Sequence, residues 1–344
     1  MDRTAKGDAA PITLDRLRKV YPDKTVAVDQ LSLDVGAGEV VVLIGPSGCG
    51  KSTVLRMVNR LIEPTGGRVL VDGTDVTQTD PVQLRRQIGY VIQNVGLFPH
   101  QTVRANVGTV PRLLGWDKRR VAARTDELLE LIGLEPDRYA KRYPHELSGG
   151  QRQRVGVARA LAADPVVLLM DEPFSAVDPI VRGRLQEEFS RLRSTVRKTT
   201  ILVTHDLQEA IRLGDRIAVL SDHAHLEQYA TPAQLLAAPA NRFVEQFIGE
   251  DRGIMRLSVT PIPREGLRPL SDVEGAPSIP VTATLREALA VMLAGGQGAV
   301  VVREGESALG MLAAGDIQLA LAAHDTESAH QAESANDTEK AAKR

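Results

Sequence analysis

The chain has 344 residues, with 42 basic and 44 acidic side chains and a formal net charge of −2. That length admits a full core and suggests one large and one small domain, and the balanced charge leaves no global footprint for nucleic acid. The single cysteine, Cys49, excludes a disulfide framework and fits a reducing compartment, and no apolar run reaches the ~18 residues that span a bilayer, so a soluble, cytoplasmic chain without a secretory signal is expected.

Residues 1–10 read as a loose polar tail. Residues 12–14 and 31–35 then alternate apolar and polar side chains as half-buried strands do. Between them lies Tyr21, an aromatic ring that can either pack on the surface or stack on a base, the latter worth ~1–3 kcal/mol. The apolar run 40–44 ends in Gly45-Pro46-Ser47-Gly48-Cys49-Gly50-Lys51-Ser52-Thr53, and helical spacing follows it through Leu61. This is the P-loop pattern G-x-x-x-x-G-K-[ST] at a strand-to-helix turn. Its glycines let successive N–H groups point inward, and the helix start adds partial positive charge, so a polyphosphate fits there. Lys51 is placed to reach the terminal phosphates and Ser52 to offer a hard oxygen ligand to Mg²⁺. Cys49, inside the loop, reads as a small tolerated residue or a redox-sensitive thiol.

Strand-like segments follow at 68–72 and 88–92, the second ending at Gln93. From about 94 to 163 the spacing turns helical, which predicts a helical subdomain inserted in an α/β core. Within it, Ser148-Gly149-Gly150-Gln151 places a good N-cap and exposed amides at a helix start, a second anion site. The apolar run 164–170, closed by Asp171 and Glu172, reads as a buried parallel strand whose carboxyl end collects ligands. Asp171 suits Mg²⁺, and Glu172 suits a water-activating base. Asp178 precedes an amphipathic helix, and a further buried strand, 199–204, ends in His205. Gln93, Asp171 and His205 thus share one kind of position, the carboxyl end of a strand.

Together these motifs resemble the nucleotide-binding subunit of ATP-binding cassette (ABC) transporters over roughly residues 11–245, the run 147–151 being the most specific part. The resemblance implies an α/β P-loop NTPase core of RecA-like type with an inserted helical subdomain, and ATP and Mg²⁺ as cofactors. Tyr21 is then the adenine-stacking ring and 45–53 the phosphate loop. Gln93, Asp171 and Ser52 serve the metal, Glu172 is the catalytic base, and His205 and Lys51 act on the γ-phosphate. Asp178 is the D-loop acid. Ser148 to Gln151 form the signature that closes the ATP site of a second copy, giving a head-to-tail dimer. The runs 96–102, 110–116, 178–182 and 239–244 resemble, more narrowly, importers of quaternary-amine osmoprotectants. That implies membrane permease subunits, an extracytoplasmic solute-binding protein and a place on the cytoplasmic face of the membrane, with no nucleic-acid partner. Quaternary ammonium is recognised by aromatic cages, and a chain only 3% aromatic leaves the solute site to a partner. Amino-acid or polyamine import is the alternative substrate reading, and a soluble ABC ATPase of DNA repair or translation the alternative class.

The segment 221–226 replaces a glycine-containing hairpin expected in that family. Its His223 and His225 lack a third metal ligand nearby and read as an exposed turn. Residues 246–280 read as a linker, and 281–323 resemble one cystathionine-β-synthase (CBS) motif, a small α+β segment with Asp316 as its matching polar ligand. About forty residues hardly bury a core of their own, so pairing with the second copy is expected. Residues 324–344 are polar and read as a disordered tail.

Overall fold

The computed structural model describes residues 9–93, 95–175, 177–270 and 276–323. The tails read at 1–10 and 324–344 lie almost wholly outside the described residues. The chain divides into two compact units, Met1–Tyr229 and Ala230–Arg344.

The first unit begins with strands β1 (Ile12–Val20) and β2 (Val26–Val35), an antiparallel hairpin. Strand β3 (Val40–Ile44) leads into helix α1 (Lys51–Val58), and β4 (Gly66–Val71) and β5 (Thr74–Asp75) complete a four-stranded sheet in the order β2-β1-β4-β5. After α2 (Pro81–Gln87) comes β6 (Ile88–Val91). The chain is then helical through α3 (Val103–Val107), α4 (Thr109–Leu113), α5 (Lys118–Leu131), α6 (Pro136–Tyr139) and α7 (Gly149–Leu161). It returns as β7 (Val167–Asp171), α8 (Pro179–Val196), β8 (Thr199–Thr204), α9 (Leu207–Leu213), β9 (Arg216–Leu220) and β10 (Leu226–Ala230).

These strands form a six-stranded sheet in the order β10-β9-β3-β8-β7-β6. Every residue of β3, β7 and β8 is buried, which is why, up to Asp171 at the end of β7, their sequences are apolar or threonine runs: helices cover both faces of a parallel sheet. Pairing is parallel across β6-β7, β7-β8, β8-β3 and β3-β9. The registers Val91 with Met170, Asp171 with Val203, and Ile44 with Thr204 bring four carboxyl ends to one edge. Ligands of open α/β sheets collect along such an edge.

The second unit contains α10 (Pro232–Ala237), α11 (Arg242–Ile248), α12 (Arg252–Val259), β11 (Ser278–Pro280), α13 (Leu285–Gly295), β12 (Ala299–Glu304) and β13 (Ser307–Ala313). Its sheet runs β11-β12-β13, parallel and then antiparallel. The stretch 246–280 is therefore not linker throughout: it holds the end of α11 and all of α12 and β11, and Leu257 and Ile262 belong to the core of this unit. Proline and charge hide that in the sequence. The Arg252 guanidinium ties α12 to α10 by donating to the carbonyls of Leu236 and Ala237, so a charged residue serves packing here.

Candidate functional site

The P-loop occupies the turn between β3 and α1, and its shape depends on residues without a Cβ. At Gly45 a Cβ would lie 2.1 Å from the Leu220 carbonyl oxygen. Gly50 has φ 110°, and a Cβ there would lie 2.4 Å from the Ala27 carbonyl oxygen. The loop is thus pressed against β2 and β9 and curls where only glycine is comfortable. Helix α1 starts at Lys51 with Gly50 as N-cap and no side-chain cap, which leaves the helix start for an anion. Lys51 is buried, and its ammonium donates to the carbonyls of Gly45 and Pro46, both at 2.7 Å. A phosphate entering the loop would take up that charge in place of two neutral acceptors, a stronger partner. Buried Cys49 has its Sγ 3.6 Å from Lys51 Nζ.

Ser52 Oγ donates to Asp171 Oδ1 at 2.8 Å, joining the end of β7 to the start of α1. Burial lifts the Asp171 carboxyl above its ordinary range, Glu172 acting the same way, while the Ser52 hydroxyl, Arg56 and Lys51 pull it down. A buried acid paired with a hydroxyl beside a phosphate cradle is an oxygen donor set that suits a hard cation such as Mg²⁺. Glu172 has φ 44°, in the left-handed region, and its side chain meets other partners than that of Asp171. Gln93 Nε2 donates to Glu172 Oε2 at 2.9 Å, and His205 Nδ1 lies 3.3 Å from Glu172 Oε1. The ends of β6, β7 and β8 therefore meet in one chain of contacts, Gln93 to Glu172 to His205. Both oxygens of the carboxylate are engaged by protein groups.

The other expected residues lie apart from that chain. Tyr21 stands in the β1–β2 turn, where its N–H donates to the Thr25 carbonyl at 2.9 Å and the Lys19 ammonium is 5.4 Å from the ring centroid. Ser148 caps α7 in a reciprocal box: its Oγ accepts the Gln151 N–H at 3.2 Å, and Gln151 Oε1 accepts the Ser148 N–H at 2.9 Å. The Gln151 amide also donates to the Tyr139 hydroxyl at 3.2 Å. Gly149 and Gly150 form the first turn of α7. The hydrogen bonds of 148–151 thus run within the helical insertion, whereas those of Lys51 and Ser52 run to the sheet edge. Asp178 is exposed just ahead of α8.

The replaced hairpin is a 3₁₀ turn, Asp222–Ala224, beneath the P-loop: His223 Nδ1 is 2.6 Å from the Val26 carbonyl, and the buried Ala224 donates its N–H to the Cys49 carbonyl at 2.6 Å. Among the described residues no group of His, Cys, Asp and Glu could hold a metal by itself. In the second unit Asp316 accepts from the Arg268 guanidinium at 2.7 and 2.9 Å and from the Ala313 N–H at 3.1 Å. The pair with Arg268 holds the Asp316 carboxyl below its usual range.

Comparison with known proteins gives the family of this fold. The profile described as ABC transporter matches residues 28–175. The glycine betaine uptake system ATP-binding protein YehX of Escherichia coli is 47% identical over 271 residues, 78% of this chain and 87% of that one. The chain belongs to the ABC transporter ATP-binding family. The cassette is also similar to the glycine betaine/carnitine/choline transport ATP-binding protein OpuCA of Bacillus subtilis, 53% identical over 241 residues, or 70% of this chain. It spans 63% of that relative's length. The dimeric structure of MJ0796, a bacterial ABC transporter cassette, superposes with a TM-score of 0.58 at 34% identity, covering 64% of this chain and 98% of that one. Among the described residues of the cassette no helix is long and apolar enough to cross a membrane.

Two groups near the site escaped the sequence reading. Tyr90 of β6 faces Asp171, and burial together with that acid's charge pushes its hydroxyl up to about 12. Glu209 of α9 is buried, with Ala210 and Leu213 on the same helix face. An acid three residues after a capping Asp206 is what a helix start ordinarily carries, so the sequence holds no signal of its burial.

Proposed function

We propose that the chain is the ATP-hydrolysing subunit of an importer for quaternary-amine osmoprotectants such as glycine betaine, choline, carnitine or proline betaine. ATP hydrolysis is carried by one observation, the chain Gln93–Glu172–His205 closed beside the Ser52–Asp171 pair, and the choice of substrate is supported by the 47% and 53% identity to the glycine betaine and glycine betaine/carnitine/choline relatives. Phosphoryl transfer goes to water. Glu172 takes the water proton, the new P–O bond forms as the bond to the ADP oxygen breaks, and ADP leaves with that electron pair. Lys51 and His205 hold the γ-phosphate, and the amides of the 45–53 loop hold the rest of the triphosphate. Mg²⁺, when bound, neutralises phosphate charge, and Ser52, Asp171 and Gln93 are the residues that would hold it.

Tyr21 stacks on adenine. Tyr21→Ala is expected to weaken ATP binding by ~1–3 kcal/mol, about 5- to 150-fold, with little change in kcat; titration calorimetry with ATP reads it. Ser148 to Gln151, with Asp178, face the γ-phosphate of a second copy, so ATP holds two copies together and its hydrolysis releases them. The 281–323 segment acts as a CBS-like motif paired with that of the second copy. The cassette couples to membrane permease subunits on the cytoplasmic face and through them to a solute-binding protein.

Uptake by the reconstituted complex tests the substrate. Labelled glycine betaine or choline should accumulate with ATP and compete with one another, and accumulation of amino acids or spermidine in their place would overturn the assignment.

A further inference from the structure

Among the described residues, the buried carboxyl of Glu209 has no part in the phosphate chemistry. Glu209 is 4% exposed, a burial acids seldom reach without a partner. Its Oε2 accepts the Thr204 hydroxyl at 3.1 Å, and its Oε1 has no hydrogen-bond partner among the described residues. Thr204, the last residue of β8, is 2% exposed, and its Oγ1 also accepts the Asp206 N–H at 3.1 Å. One hydroxyl therefore spends its proton on Glu209 and a lone pair on the backbone just past His205. Asp206 then caps α9, its Oδ1 accepting the N–H groups of Gln208 at 2.9 Å and Glu209 at 3.2 Å. These bonds close a ring through residues 204–209. His205 is the member that projects from it, and its imidazole meets Glu172.

We propose that Glu209 is a positioning residue for His205: through the Thr204 hydroxyl its buried carboxyl fixes the turn that presents the imidazole to Glu172. This rests on the reading of His205 as a γ-phosphate group in ATP hydrolysis. A side chain 56% exposed is not held by packing alone, so the direction of the ring depends on the backbone under it. Displacement of such a group by about 1 Å can lower a rate by about 10².

The proton state of Glu209 belongs to the same device. Burial raises its carboxyl to about 8; Asp206 and Glu172 act in the same direction, while the Thr204 hydroxyl and Arg182 oppose them. The charged groups around it are Asp206 on its own turn, Glu172 at the end of β7, and Arg182 of α8, whose Nη1 is 3.8 Å from Asp206 Oδ2. Arg212, also on α9, is bonded to Gln186 and Glu187 of α8. An unfolded glutamate loses its proton near 4.3, whereas here the folded chain keeps it to about 8. Stability from this group is complete below the unfolded value and is lost as pH rises across that window. Above it an anion is left buried beside Glu172 and Asp206, and the turn under His205 loosens.

The test uses the full chain: steady-state ATP hydrolysis from pH 6.5 to 9.5, with NMR of the His205 imidazole as a readout independent of turnover. Glu209→Ala and Thr204→Val should lower kcat by about 10- to 100-fold with KM for ATP nearly unchanged, and should shift the His205 resonances. Glu209→Gln, isosteric and neutral, should restore most of the rate at pH 7, keep the His205 resonances in place and remove the decline above pH 8. In a His205→Ala background, Glu209→Ala should cause no further loss. An undiminished loss in that background, or unmoved imidazole resonances in Glu209→Ala, would overturn the proposal. A wild-type chain that does not hydrolyse ATP would instead sink the ATPase reading, and the imidazole resonances would still decide the positioning role.

Discussion

Glu172→Gln should lower steady-state ATP hydrolysis by about 10²–10⁴ while leaving ATP bound. The amide keeps the shape of the side chain and can still meet Gln93 and His205, the two partners of the carboxylate, but it cannot accept a proton from water. In the proposed reading ATP is held by the 45–53 loop and the start of α1, which the substitution does not touch. Because hydrolysis is what removes the γ-phosphate bridge, the variant should also accumulate as an ATP-bound dimer. Phosphate release and size-exclusion chromatography with ATP read the two effects. Undiminished phosphate release would remove Glu172 from the role of base, and a variant that no longer binds ATP would mean that the substitution disturbs the loop itself.

Gly45→Ala should destabilise the first unit by about 1–3 kcal/mol or more. The clash is with backbone: the added methyl would lie 2.1 Å from the Leu220 carbonyl oxygen and 3.1 Å from the Cys49 sulfur. Strand β9 cannot retreat without straining its pairing with β3. The melting temperature should fall by several degrees, at roughly 2–4 °C per kcal/mol for a unit of this size. Gly48→Ala is the control, because a Cβ there meets nothing within 4 Å, although its φ of 84° disfavours a side chain. Thermal melts that rank the two variants the other way would show that backbone conformation, and not the contact with β9, governs the loop.

Much of this site could be read from the sequence because its residues follow strands. A buried parallel strand announces itself as an unbroken apolar run, and the first polar residue after the run is the one delivered to the sheet edge. Asp171 with Glu172, and His205 after the threonine-ended run 199–204, are found that way, and Gln93 directly follows Ile92. What the runs cannot give is the order of the strands. That β8 lies between β3 and β7 is a matter of long-range pairing, and it is what lets His205 reach Glu172. Nor could they give the backbone turn at Glu172, which only its φ reveals. The stretch 246–280 was misread for a different reason. Helix α12 spans only Arg252–Val259, barely two turns, so its apolar face is too short to stand out and nearby proline and glycine dominate the pattern. Glu209 was overlooked because a single acid in a helix looks like surface until its burial is known.

The conformation of Glu172 carries one further meaning. Glycine or asparagine would occupy a left-handed backbone more readily than glutamate, and such strain typically amounts to ~1–3 kcal/mol. If Glu172 is the base proposed above, folding and chemistry make opposite demands at that position: a more comfortable residue would make the chain sturdier and leave water without its proton acceptor.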